Sequence, residues 1–232
     1  MRYTEQIESY CKQLKLGSRI IEDIDIVKAE TNEEFLMKLF QKEVQYRKST
    51  RIARNLKGAG FYSIKTFEDY DFSAAKLPAG LNRDDVKNCS FTDEKKNLVL
   101  YGNVGTGKTH MATAIGVESC RQGKRVKFFR TAALVNKLAD LKKTGSLQKF
   151  LQELSKTDLL ICDEWGYVPL DRDGSRLLFE VISECYEQRS VIITTNLEFS
   201  RWVSIFYDEQ MTAAIIDRLV HHSYTPSTLN SE

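Results

Sequence analysis

Proline is scarce, with three residues in 232, and residues 1–60 contain none. That stretch has only Gly17, Gly58 and Gly60 as glycines, so it lacks helix breakers and reads as helical. No apolar run approaches the roughly 18 to 20 residues that cross a bilayer, and Met1-Arg2-Tyr3-Thr4-Glu5 opens no signal peptide. Neither a membrane partner nor export is expected, and the cytoplasm is the default. No CxxC pair occurs: Cys11, Cys89, Cys120, Cys162 and Cys185 are scattered and odd in number, which argues against a disulfide framework or a zinc site. Cys162, inside an apolar run, reads as packing. His221-His222 lack a third ligand at useful spacing and read as structural. Excess charge is missing too: the net charge is +2, so any nucleic-acid contact must come from local patches. No internal repeat or low-complexity tract stands out.

What is present is the composition of a soluble globular protein, 42% hydrophobic and 28% charged, long enough for one α/β domain with a small appendage. Ile7, Tyr10, Cys11 and Leu14 form an i, i+3, i+4, i+7 stripe, and Phe35, Leu36, Leu39 and Phe40 begin a second. Lys42, Arg47, Lys48, Arg51, Arg54 and Lys57 follow, opposed only by Glu43. On a helix Arg47, Arg51 and Arg54 share one side, a spacing that suits either a phosphate backbone or a solvated face. Gly58-Ala59-Gly60 closes this region, which predicts a helical domain over 1–60 and a second domain over 61–232. Phe67, Tyr70 and Phe72 interleave with acids in an extended or turn-like connector; an aromatic there suits either contact with an adenine base or edge packing.

From Asn97 onward strand and helix patterns alternate. Leu98-Val99-Leu100-Tyr101 is apolar, breaks at Gly102, and passes through Asn103-Val104-Gly105-Thr106-Gly107 into Lys108-Thr109-His110 and a helical pattern. This meets every fixed position of GxxxxGK(S/T) between a strand and a helix. Such a loop turns successive backbone N–H groups inward as an anion nest at a helix N-terminus. Residues 102–110 are therefore the candidate nucleotide site, with Lys108 reaching the β- and γ-phosphates of ATP and the Thr109 hydroxyl holding Mg²⁺.

Further strands are predicted at Arg125–Phe129, Asp158–Cys162 and Val191–Thr195, with helices between them, which implies a mostly parallel sheet covered by helices. Asp163-Glu164 closes the Leu159–Cys162 run about fifty residues beyond Lys108. Asp163 can approach the Mg²⁺ and Glu164 can polarise the attacking water; alternatively the pair caps a helix. Asn196, closing Thr194-Thr195-Asn196, can bond that water or the γ-phosphate, or is a turn residue. Arg218 lies among apolar neighbours, where it either pairs with an acid such as Asp217 or reaches a neighbouring subunit's γ-phosphate. Lys137, Lys142, Lys143 and Lys149 form a second basic cluster, facing either DNA or solvent.

In this order and spacing GNVGTGKT, LLICDE, TTN and IIDRL resemble an AAA+ ATPase of the IstB/DnaC type. YRKSTRIARNLKGAGF, FEDYDF, GKRVKFFRTAALVNKL, ICDEWGYVPL and IIDRLVHHS are specifically similar to IstB, the transposition helper of certain bacterial insertion sequences, over about residues 5–224. The resemblance implies an AAA+ P-loop fold with a small N-terminal helical domain. It makes Lys108 and Thr109 the Walker A residues, Asp163 and Glu164 the Walker B pair, Asn196 sensor 1 and Arg218 an arginine finger. It further implies ATP-dependent homo-oligomers on duplex DNA, association with the nucleoid, DNA bending, and recruitment or stimulation of an IstA-like transposase. DnaC-like helicase loaders share the core and are the alternative; an interaction module with vestigial hydrolysis is a third. One departure is plain: Thr225 to Glu232 is polar and brief, where IstB-like chains continue into a short apolar strand and a basic ending.

Overall fold

The computed structural model describes residues 3–73, 75–78, 80–206, 208–221 and 223–229. It divides into two compact units, Met1–Arg54 and Asn55–Glu232. Among the described residues no helix is long and apolar enough to cross a membrane.

The first unit contains α1 (Thr4–Gln13), α2 (Arg19–Ile26) and most of α3 (Asn32–Ala59). Half of each apolar stripe makes its seam: Cys11, Ile20 and Leu39 are buried, with Ile7 and Phe35 packed beside them. Tyr10, Leu14, Leu36 and Phe40 are exposed. The carboxylate of Glu43 accepts the Gly17 N–H at 2.8 Å and pairs with Arg47 Nε at 2.6 Å, so this buried charge is satisfied locally.

In the second unit the chain runs through α4 (Arg83–Lys87), β1 (Asn97–Gly102), α5 (Lys108–Arg121), β2 (Val126–Arg130), α6 (Thr131–Lys143) and α7 (Leu147–Leu154). It continues through β3 (Leu159–Trp165), α8 (Arg172–Cys185), β4 (Ser190–Thr195), α9 (Val203–Phe206), α10 (Glu209–Val220) and β5 (Ser223–Leu229). The strands pair in parallel in the order β2-β3-β4-β1-β5. Both faces of this sheet are covered, which is why its strands read as apolar runs without alternation. On one face Leu98, Leu100, Ile161 and Ile192 pack with Met111 and Ile115 of α5 and with Phe72 and Phe91 of the connector. On the other, Val99, Cys162 and Ile193 pack with Leu134 of α6, Leu178 of α8 and Leu219 of α10. Side chains alternate between the two faces along each strand.

The loop connecting to β1 folds more than its polarity suggests: Asn82 and Asp85 form a reciprocal cap on the five-residue α4. The Asn97 side chain ties β1 to two other elements, donating to the carbonyls of Arg218 and Leu219 and accepting the Val191 N–H. All five cysteines are free and buried, and burial pushes the Cys120 and Cys185 thiols up to about 12.

The ending corrects the reading of Thr225 onward as a tail without a strand. Ser223–Leu229 pairs with β1 as an edge strand despite its polar sequence. Thr225 and Pro226 stand together opposite Val99, and a proline is tolerated at such an irregularity on an edge because no ladder N–H is required there. Backbone pairing with a buried neighbour supplies what apolar side chains do not. Residues 230–232 and His222, part of the His221-His222 reading, lie outside the described residues.

Candidate active site

The turn after β1 places Gly107 at the N-cap of α5 with φ +83, a conformation that favours glycine. A side chain there would also meet the Tyr70 ring, with a Cβ contact of 3.2 Å. Lys108 Nζ donates to the carbonyls of Gly102 and Asn103 at 2.8 and 2.6 Å. Burial lowers its pKa below the usual lysine value, opposed by the charge of Asp163. Thr106 Oγ1 donates to Asn103 O, so the loop is braced by its own side chains.

Opposite the loop, Thr109 Oγ1 donates to Asp163 Oδ1 at 2.9 Å. Asp163 is 2% exposed and its carbonyl accepts from Thr131 Oγ1. Glu164, next in the chain, is exposed and has φ +58. For a residue other than glycine that conformation costs about 1–3 kcal/mol and persists only where the surroundings impose it. Val104, Gly105, Lys108, Thr109, Glu164, Tyr167, Thr194, Thr195 and Asn196 line one cavity of about 150 Å³. The structure thus brings Lys108, Thr109, Glu164 and Asn196 together from three separate segments of sequence.

Other candidates fall elsewhere. His110 Nε2 bonds Thr66 O at 2.9 Å and its ring stands edge-on to Tyr70, so it faces the connector. Phe67 and Phe72 join the buried cluster around Tyr70, whose pKa burial raises. Arg218 does not line the cavity. Its Nη1 donates to Ala214 O and its guanidinium lies 4.9 Å over the Phe179 ring, with no ion pair to an acid among the described residues.

In the first unit Arg47, Arg51 and Arg54 line a basic cleft of about 400 Å³ with Lys15 and Tyr46, while Lys48 is exposed outside it. Arg47 is also part of that unit's packing, bonded to Glu43 and the Lys15 carbonyl. In the second cluster Lys137 sits over the Phe129 and Phe150 rings. Lys142 and Lys143 make long surface ion pairs with Asp173 and Asp140 at 3.9 and 3.8 Å, contacts of little energetic weight.

Two residues, one next to the cavity and one in its lining, were not singled out from sequence. Arg130 Nε lies 3.5 Å from Glu164 Oε2 and its guanidinium is 4.5 Å over the Tyr62 ring. It closes β2 opposite Asp163 in register, so a charged residue ending an apolar strand was its available signal. Thr194 Oγ1 donates to Asp163 Oδ1 at 2.5 Å and accepts the Glu164 N–H at 3.0 Å. It lay in the TTN motif, valued there only for its asparagine.

The domain fold is similar to that of AMPPCP-bound DnaA from Aquifex aeolicus (TM-score 0.58, 18% identity, 72% of this chain and half of that one). The DnaC helicase loader is similar over 76% of this chain and 99% of its own (TM-score 0.56, 23% identity). Among curated proteins, the IS21 insertion-sequence ATP-binding protein of Pseudomonas aeruginosa is 37% identical over 83% of this chain and 72% of its own length. The IS232 insertion-sequence ATP-binding protein of Bacillus thuringiensis subsp. berliner is 31% identical over 94% of this chain and 90% of its own. With residues 21–231 matching its family description, a glycine loop facing Asp163 and Glu164, and these relatives, the chain belongs to the IstB-like ATP binding protein family.

Proposed function

We propose that this protein is an ATP-hydrolysing switch for DNA transposition, which assembles on duplex target DNA when ATP is bound and recruits or stimulates a partner transposase. The observation that carries the reading is the bond from Thr109 to Asp163 beside a cavity that Lys108, Glu164 and Asn196 also line. A hydroxyl and a carboxylate are hard oxygen donors of the kind Mg²⁺ takes. Among the described residues no group of three or more His, Cys, Asp or Glu could hold a metal, so the phosphates of the nucleotide would have to complete the coordination. Bound there, Mg²⁺ supplies charge neutralisation on the phosphate oxygens. The loop N–H groups and Lys108 orient the triphosphate, Glu164 accepts a proton from the attacking water, and Asn196 fixes that water's position. Arg218, outside the cavity of its own chain, acts on a neighbouring protomer. The basic cleft of Arg47, Arg51 and Arg54, with Lys48 beside it, takes the phosphate backbone; Lys137, Lys142 and Lys143 are a second candidate face.

The test is particle mass, by light scattering or electron microscopy, with ADP, ATP or a slowly hydrolysed analogue and with duplex or single-stranded DNA. Oligomers requiring ATP and duplex DNA are expected. A preference for single strands points instead to helicase loading, and a monomer under every condition overturns assembly. In the same assay Glu164→Gln is expected to retain nucleotide but hold the DNA-bound oligomer; unchanged turnover sinks its role.

A further inference from the structure

Besides the irregularity of edge strand β5 opposite Val99, the register of the sheet slips between β3 and β4, inside the candidate site. β3 and β4 stay in step from Leu159 opposite Ser190 to Cys162 opposite Ile193, and resume with Trp165 opposite Thr195. Asp163 and Glu164 therefore share a single opposing residue, Thr194. Two residues against one is a β-bulge, rare between parallel strands and over-represented next to active sites, where it re-aims a side chain.

The core carries the signature of the extra residue. Cys162 and Trp165 are three positions apart and would face opposite sides of a regular strand. Both nevertheless belong to the cluster on the α6 and α8 side, whereas Ile161 belongs to the α5 side. Asp163 keeps the phase of Ile161, toward α5, where Thr109 meets it. Glu164 is the inserted residue: it takes the left-handed conformation and is the one exposed position of β3.

Thr194 stands in the gap and is 1% exposed. A hydroxyl has one proton and two lone pairs, so one group can give to the Asp163 carboxylate and receive the Glu164 N–H together. Valine has the same shape and can do neither.

We infer that Thr194 is a positioning residue that assigns the two adjacent carboxylates different places. Its O–H fixes the Asp163 oxygen that faces Thr109, and its lone pair holds the bulge that lifts Glu164 out to the cavity. This rests on the ATPase reading above.

The experiment compares Thr194→Val and Thr194→Ser with the unsubstituted chain. It measures the Mg²⁺ concentration for half-maximal binding of a fluorescent ATP analogue, and kcat and KM for ATP. Loss of a group that orients a metal ligand typically costs about 10- to 100-fold. Thr194→Val is expected to raise the Mg²⁺ midpoint and lower kcat on that order, with KM for saturating Mg-ATP little changed and Thr194→Ser restoring most of both. A valine variant with native midpoint and kcat overturns the inference, as does a serine variant as impaired as valine. Melting curves accompany each protein; if the valine variant is unfolded at assay temperature, Thr194→Ala against Thr194→Ser decides on the same criteria. Native protein that binds but does not hydrolyse the nucleotide refutes the ATPase reading, while the Mg²⁺ midpoint still judges Thr194 alone.

Discussion

The two units of this chain bury their apolar residues in different ways. In the sheet unit Leu98, Leu100, Ile161 and Ile192 on one face are fully buried, and the other face carries a second cluster that includes Trp165 and Trp202. In the helical unit three buried side chains make one seam, while Leu36, Met37, Phe40 and Val44 each expose about half or more of their surface. A small unit buries a smaller share of its surface than a large one, and three helices around one seam leave outward faces uncovered. Of the residues needing a fixed geometry, Asp163 and Thr194 stand on the doubly covered sheet and Thr109 at the head of α5, which packs against it. The arginines of the first proposed DNA face, Arg47, Arg51 and Arg54, stand on the thin-cored unit, where charge matters more than precise placement.

The sharpest way to break that contrast is to hollow each core in turn. Ile192→Ala, in a strand flanked on both sides, is expected to cost about 2–5 kcal/mol and lower the melting temperature of the sheet unit. Leu39→Ala should loosen the helical seam while leaving nucleotide binding intact. Calorimetry and nucleotide titration of both variants check this, and equal loss of binding in the two would erase the distinction.

A smaller effect separates arginines of one cleft. Replacing Arg51 and Arg54 together should flatten the log–log salt dependence of DNA binding by about 0.9 for each phosphate no longer neutralised, at unchanged stability. Arg47→Ala should in addition destabilise the helical unit, because it deprives the buried Glu43 of its cation. An unaltered slope in both would place these residues away from DNA. The smallest effect belongs to the open face. Val44→Ser, at a position 66% exposed in the native chain, should shift stability by no more than about 0.5 kcal/mol, measured by denaturant unfolding. A larger loss would mean that this face is covered in solution.

Much of the fold could be read directly. Apolar runs marked four strands, and the alternation of strand and helix implied their parallel pairing. The fifth strand escaped because Ser223–Leu229 carries no hydrophobic pattern; it is held by main-chain pairing with β1. The helical stripes announced amphipathic helices but not which half of each would be covered, since Cys11 and Tyr10 look alike until a partner helix arrives. At the site, the glycine loop, Asp163-Glu164 and Asn196 stood out by type and spacing. Arg130 and Thr194 did not, because each matters only through a neighbour on another strand.

The chemistry on offer is written in local order: glycines before a lysine and a threonine at the head of a helix make an anion nest whose contacts span only a few residues. Which oxygens meet is another matter. The Thr109 hydroxyl reaches Asp163, and Thr194 separates Asp163 from Glu164, only after strands some thirty residues apart have taken their register. That register follows from packing both faces of the sheet, a condition no single stretch of sequence contains.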